Sequence, residues 1–516
     1  MSLKNAQNKT LDKAAERTAG NDHVSLERNH QMEQPVPLVR GTVATSGDAL
    51  IRSQHVAERL SQPIELAGYE PIQTPGFDLV ELHERKSGAA ITTRILEIGY
   101  HGDQGPICLR PELTVGVVRS VIESGKLANG PVRVSVTGSV YRLSGDQAGG
   151  LNQIDQIGVE LVGDASVEAD AEVIALADAA LRNAGVTGST IQLGDVGLIL
   201  EAVTAAGLPA ETRKAIVETL ADAAASGKGL VHVENALEHW ADWLGDQSRH
   251  KTTGQSVQGL PGHDLQRLFH HLVPEVVGRR TESDILGRLQ QKWAMAERLP
   301  DALTKAARLV HELGGLAGEP AQVFAKLKSH PTGSLAEKSR QRLGRLVDLL
   351  TNRYGIEASR IRIDLGVARG IGFYSGLTFS FHGAGAKGVE LAGGGRYDGL
   401  VSVLGLSNGP DYGVGFAIGL ERVIQSVGQS GVTQTQPVYV LQPHDESVGA
   451  MRVAIRWIEN LRSKSHRARL ATPADQADAS GQILIEVSAD GEAQCADSRQ
   501  LVEFNQKLTA ERLIES

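Results

Sequence analysis

Hydrophobic and polar positions change rhythm several times along the chain, and each change marks a different kind of structure. Over Asp48–Leu66 the apolar residues Leu50, Val56, Leu60 and Ile64 recur at helical spacing until Gly68, which predicts an amphipathic helix. Short pieces rich in β-branched residues follow (PIQTP, ITTRILEI, PICLRPE, VRVSVTGSVYR and NQIDQIGVELVG), divided by turns; these predict strands. A second helix is expected from about Ser166 to Arg182, with Val173, Ala177 and Leu181 as its apolar stripe. Ser166 stands ready to cap it, Glu168 and Asp170 suit its positive end, and Gly185 lies past its other end. From about Gly207 to Tyr354 helix follows helix; in Leu335–Leu350, for example, Leu343, Leu346, Val347 and Leu350 share one face. Strand patterns return over Ser359–Phe381 and Gly388–Val423. A last unit joins the strand PVYVL, an amphipathic helix Ser447–Lys464 and the strand ILIEV.

Strands on either side of a helical stretch predict an α+β fold in which a mainly antiparallel sheet is split by a helical insertion. The expected boundaries are a disordered tail at 1–40, the sheet domain at 41–206 and 355–430, the insertion at 207–354, and a small α/β domain at 436–516. The tail is polar and mixed in charge, too poor in apolar side chains to offset its ordering entropy. A length of 516 residues is consistent with three or four domains at about 150 residues each. Aromatic residues are only 4% of the chain, so the cores must be aliphatic. The net charge of −9 argues against a protein whose main task is gripping a phosphate backbone. Two cysteines, Cys108 and Cys495, exclude a disulfide framework and a cysteine-rich zinc site. The polar start and the lack of an 18-residue apolar run point to a cytoplasmic protein with no membrane association.

Candidate chemistry gathers in a few segments. In the strand Asn152–Leu161, alternation puts Ile157, Val159 and Leu161 on one face and Gln156, Gly158 and Glu160 on the other. An amide, a bare backbone and a carboxylate suit a pocket floor, with Glu160 accepting from an ammonium and glycine letting a ligand approach; the plainer alternative is a solvated sheet face. In CLRPELT, Glu112 falls at a loop or helix start beside Thr114, where plain capping is the simpler reading. Arg369 sits among glycines in GVARGIGFYSGLTF and could offer its guanidinium to an anion. AGGGRYDGL places Gly393, Gly394 and Gly395 before Arg396, allowing backbone approach to a ligand or a glycine-rich turn. YGVGFAIGLERV has the wrong glycine spacing for a dinucleotide fingerprint. His263, His270 and His271 share a probable helix, but no further ligand completes a metal site. No residue pattern calls for a cofactor or a metal.

Taken in order, these segments resemble the histidyl-tRNA synthetase lineage of class II synthetase folds. GYEPIQTP is similar to the stretch holding the first class II motif, and Ser139–Gly163 to the second, with Arg142 as its first arginine. GFAIGLER is similar to the third, ending in Arg422. ARGIGFYSG and GGGRYDGL resemble the two histidine signatures and bring in Arg369, Tyr374 and Tyr397. The resemblance implies a histidine site built from Glu112, Thr114, Gln156, Glu160, Arg369, Tyr374 and Tyr397. It also implies an anion- or nucleotide-binding remnant at Arg142 and Arg422.

The departures bear on activity. Where the lineage has Glu two residues after the first arginine of the second motif, this chain has Ser144, and its loop 145–153 contains no Lys or Arg. Adenylyl transfer depends on preorganised cations and donors. Gly372 and Phe373 stand where Asp and Tyr are usual. An amino-acid pocket kept beside a reduced adenylation apparatus resembles the regulatory subunit of ATP phosphoribosyltransferase, a synthetase paralogue; Ile191–Leu208 is similar to a segment of it. That resemblance implies a short-form catalytic partner, histidine as effector, a homodimer within a hetero-oligomer, and neither tRNA binding nor catalysis of its own. A divergent histidine–tRNA ligase and a histidine-sensing binding module are the alternatives. The final unit resembles a reduced anticodon-binding domain, but it carries nine Lys plus Arg against twelve Asp plus Glu.

Overall fold

The computed structural model describes residues 36–87, 95–100, 104–143, 151–205, 301–329, 336–366, 374–384, 388–406, 409–427, 437–445, 447–472 and 482–495, together with 216, 219, 235–239, 242, 475, 500–502 and 504. Most of the expected tail, much of the expected insertion with His263, His270 and His271, and the segment holding Arg369, Gly372 and Phe373 lie outside them, as does Ser144. Of the described residues, 36–43 fall in one unit and those from Ala44 onward in the other.

The second unit opens with α1 (Gly47–Leu66), which buries Val56, Leu60 and Ile64. Leu50 was expected on the same stripe but is 41% exposed, because it lies in the first turn and packing begins only at Val56. A nine-stranded sheet runs β1 (Glu70–Ile72), β5 (Val132–Tyr141), β6 (Gln153–Val162), β12 (Gly413–Gly419), β11 (Glu390–Arg396), β10 (Leu377–His382), β7 (Thr190–Asp195), β9 (Ile361–Asp364) and β8 (Ala317–Gly318). Neighbours pair antiparallel except β1 with β5 and β7 with β9, which are parallel. This is the helix-flanked, mainly antiparallel sheet of the expected α+β class. A small sheet of β2 (Phe77–Leu79), β4 (Pro106–Leu109) and β3 (Leu96–Tyr100) carries the helix α2 (Val80–Ser87) between its first two strands in sequence.

The pleat of β6 sorts its side chains as alternation requires. Ile157, Val159 and Leu161 join the larger core with α1 and α4 (Val167–Asn183). The Ser166 hydroxyl caps α4 by accepting from the Ala169 amide at 3.2 Å, and Gly185 ends the segment at φ +95°. α5 (Val196–Ala205), helical residues 301–314, α6 (Pro320–Ser329) and α7 (Glu337–Asp348) add aliphatic side chains to the same core. On the opposite sheet face, α3 (Thr114–Glu123) and the short α8 (Leu400–Val403) cover Val134, Val136 and Val162 with Leu113, Val117 and Val121. α9 (Leu420–Ser426) follows β12 directly.

Near the C-terminus, β14 (Ala468–Leu470), β13 (Val438–Pro443), β15 (Gln482–Val487) and β16 (Ala493–Gln494) form a separate sheet. It packs against α10 (Val448–Ser463), which is capped by Ser447. Among the described residues, no helix is long and apolar enough to cross a membrane.

Candidate functional site

The second face of β6 is not solvated: Glu160 is only 3% exposed. Antiparallel register sets Val134 of β5 on one side of it and Gly415 of β12 on the other. A methyl group at Gly415 would lie 1.9 Å from Glu160 Oε2, so the missing side chain is what leaves room for the carboxylate. Likewise, Cβ atoms at Gly413 and Gly395 would strike the rings of Tyr397 and Tyr374 at 2.2 and 2.8 Å. These glycines of β11 and β12 make space for protein groups. Gly158 does the same: its Cβ would meet the Phe416 carbonyl at 2.4 Å, so the neighbouring strand, rather than an approaching ligand, explains glycine there.

Overpacking of this kind costs about 1–3 kcal/mol, and Gly415→Ala should lose that much stability in chemical denaturation. Gly344→Ala is the control. Gly344 lies within α7 with nothing near its Cβ position, and alanine there should stabilise by about 0.5–1 kcal/mol.

Glu112 reaches the site from the turn before α3. Buried Arg110 pins that turn, its Nε donating to the Ser139 carbonyl at 2.7 Å and its guanidinium to the Thr74 carbonyl at 2.9 Å. The Glu112 carboxylate then accepts from the Thr114 amide at 2.9 Å and the Val115 amide at 3.1 Å, meeting two of the donors a helix N-terminus leaves open. The simple capping reading is realised by the side chain of Glu112, one residue before the N-cap Leu113, rather than by that of Thr114. Two groups of α2 complete its surroundings: Lys86 Nζ at 3.0 Å from Oε2, and His83 Nδ1 at 3.6 Å from Oε1. Behind them Asp78 faces His83 Nε2 at 3.4 Å and Arg119 at 3.0 Å.

Burial alone would raise the Glu112 carboxyl, but the Lys86 ammonium and His83 hold it well below the usual carboxylate range. Burial also works against charge on His83, yet the nearby carboxylates of Asp78 and Glu112 lift its pKa above the ordinary value. Lys86 goes the other way, lowered by burial despite the attraction of Glu112.

Glu160 completes the cluster. Tyr397 Oη donates to its Oε2 at 2.5 Å, and the Thr114 side chain beside it favours its charged form. Burial, reinforced by the Glu112 charge, pushes its pKa up to about 7 against both. Tyr374 is half-buried within the field of Glu160 and Glu112, and burial first and those charges second raise its phenol. Gln156 is half-buried on β6 opposite Gly419. Arg142 donates through Nε to the Pro111 carbonyl at 2.6 Å, and its charge is felt at Lys86 and Tyr374.

The structure thus brings together Glu112, Thr114, Glu160, Tyr374 and Tyr397, with Arg142 beside them. Arg422 does not join them; it is exposed on α9 and donates to the Glu390 carbonyl at 3.1 Å. Arg396 is buried for structural reasons, in an ion pair with Asp170 at 2.6 Å. His83 and Lys86 were missed from sequence. Their only signal is a spacing of three on a short helix, which puts them on one face. Among the described residues, no group of His, Cys, Asp and Glu could hold a metal ion.

Comparison with known proteins adds to this geometry. A family model described as histidyl-tRNA synthetase matches residues 48–245 and 264–423. A histidine–tRNA ligase of Thermococcus kodakarensis is 28% identical over 435 residues, spanning 83% of this chain and 84% of that protein. An ATP phosphoribosyltransferase regulatory subunit of Symbiobacterium thermophilum is 27% identical over 444 residues, spanning 84% and 88%. Among solved structures, a Bacillus halodurans protein described as an ATP phosphoribosyltransferase regulatory subunit/histidyl-tRNA synthetase superposes with a TM-score of 0.60. Its identity is 19%, over 90% of this chain and 99% of that one, and it shares the fold.

Proposed function

Because the chain belongs to the histidyl-tRNA synthetase family, we propose that it serves as a non-catalytic, histidine-binding regulatory subunit of ATP phosphoribosyltransferase, controlling the first step of histidine biosynthesis in the cytoplasm. The observation that carries this reading is the second class II motif: Ser144 replaces its glutamate, and loop 145–153 has no Lys or Arg. ATP activation needs positive charge preorganised around the pyrophosphate leaving group, and that loop cannot supply it. The acidic cluster of Glu112 and Glu160, backed by Thr114 and Tyr397, supports retained recognition of an amino group. Gln156, Arg369 and Tyr374 are assigned to the rest of the histidine, and Arg142 with Arg422 to a residual anion site.

In this reading residues 41–206 and 355–430 form the histidine-binding domain, and the insertion at 207–354 lends β8, α6 and α7 to its sheet and core. The acidic unit 436–516 has no tRNA to bind. The protein works as a homodimer within a complex with a short-form catalytic subunit. A divergent histidine–tRNA ligase is the second reading, favoured by relatives such as the Thermococcus ligase.

Mixing the protein with the short-form phosphoribosyltransferase of the same organism tests the proposal. A stable complex is expected on co-purification, with a higher rate from ATP and phosphoribosyl pyrophosphate or a new sensitivity to histidine. Absence of both the complex and any change in rate would reject the regulatory role.

A further inference from the structure

A carboxylate has about four lone-pair positions; two helix amides donate to Glu112, and cationic side chains stand against the rest of it. The Thr114 and Val115 amides, Lys86 Nζ and, more distantly, His83 Nδ1 surround it. Glu160 next to it already accepts from Tyr397. An incoming ammonium aimed at this pair of acids therefore meets a resident ammonium, that of Lys86, whose side chain is 1% exposed. The helix amides and His83 are fixed by backbone or ring. Lys86 is different: its head sits on a flexible four-carbon stem, so it is the one partner of Glu112 able to leave without unfolding α3.

We propose that Lys86 is a tethered competitor: its ammonium occupies the Glu112 subsite in the ligand-free protein, and an amine ligand binds by displacing it. This rests on the reading of the site as an amine-binding pocket and deepens it by naming the residue that sets its affinity. Lys86 has two consequences. It keeps two buried acids compensated when no ligand is present, since an unpaired buried charge is costly. It also lowers the apparent affinity for any amine in proportion to the time it occupies the subsite. The pocket then responds only at high ligand concentration, as suits a sensor of an end product.

The test uses the full chain as wild type, Lys86→Ala and Lys86→Met. Alanine removes Cγ, Cδ, Cε and Nζ, the atoms of n-propylammonium; methionine keeps the length and apolar stem without the charge. In thermal unfolding, n-propylammonium chloride should stabilise Lys86→Ala and leave the wild type unchanged, with sodium chloride as the control for salt. In calorimetry, histidine should bind both variants about tenfold more tightly than wild type, the factor expected if Lys86 fills the subsite nine-tenths of the time.

If wild type binds histidine and both variants bind it no better, the competitor role is overturned while the histidine reading stands. If n-propylammonium rescues Lys86→Ala but no form binds histidine, Lys86 holds the subsite as proposed and the ligand is another amine. If neither probe distinguishes the variants from wild type, the proposal fails. Should Lys86→Ala not fold, the histidine arm with Lys86→Met decides between the same outcomes.

Discussion

Glu112→Ala is expected to cost about 3–5 kcal/mol of stability, because removing one member of a buried ion pair leaves the other charge uncompensated. Here the stranded group is Lys86, while His83 keeps Asp78, and the Thr114 and Val115 amides lose their acceptor as well. Chemical denaturation of the variant measures the loss. The double variant Glu112→Gln, Lys86→Met should recover much of it, since replacing both members of a buried pair is far less damaging than breaking it. A loss below about 1 kcal/mol, the range of solvated pairs, would mean that the cluster is open to water.

Glu160→Ala is expected to weaken histidine binding by about two orders of magnitude. Truncating an acid that pairs with a buried ammonium costs about 2–5 kcal/mol, and each 1.4 kcal/mol is roughly a factor of ten. Ser144→Ala, in the altered second motif, should leave binding unchanged. Because the Glu160 pKa is near 7, the acid is mostly protonated below that pH and attracts an ammonium weakly. Affinity should therefore rise as pH climbs through 7 and then level off; the slope remaining in Glu160→Gln belongs to the ligand's own imidazole.

The same shift acts on folding with the opposite sense. Between its usual value of 4.5 and about 7, Glu160 is ionised in the unfolded chain and protonated in the folded one. Its contribution to stability is complete below 4.5 and is lost as pH rises toward 7. Equal affinity in Glu160→Ala and wild type would place the ligand elsewhere.

The parts of this molecule that depend on local periodicity were legible in its sequence. Alternation in β6 assigned Ile157, Val159 and Leu161 to the core and Glu160 to the other face, since the pleat permits nothing else. Ser166 and Ser447 marked the helix starts they cap. What stayed hidden depends on residues distant in the chain. The glycines at 158 and 395 read as room for a ligand, but each accommodates a protein group from elsewhere in the chain, and nothing in the pattern marked Gly413 and Gly415 as making room for Tyr397 and Glu160. Nothing in the pattern marked Arg396 for burial, which follows from its ion pair with Asp170 of α4. Lys86 and His83 carried no motif at all. They matter only because the turn before α3 folds Glu112 back onto α2, and a tertiary contact of that kind leaves no periodic trace.

The central claim is that this chain keeps an amino-acid pocket without the power to adenylate. Aminoacylation with purified protein, histidine, ATP and total tRNA tests it most directly. No histidyl-tRNA above background is expected, under conditions in which an intact histidine–tRNA ligase charges the same tRNA; sustained histidyl-tRNA formation would overturn the regulatory reading and establish the ligase one.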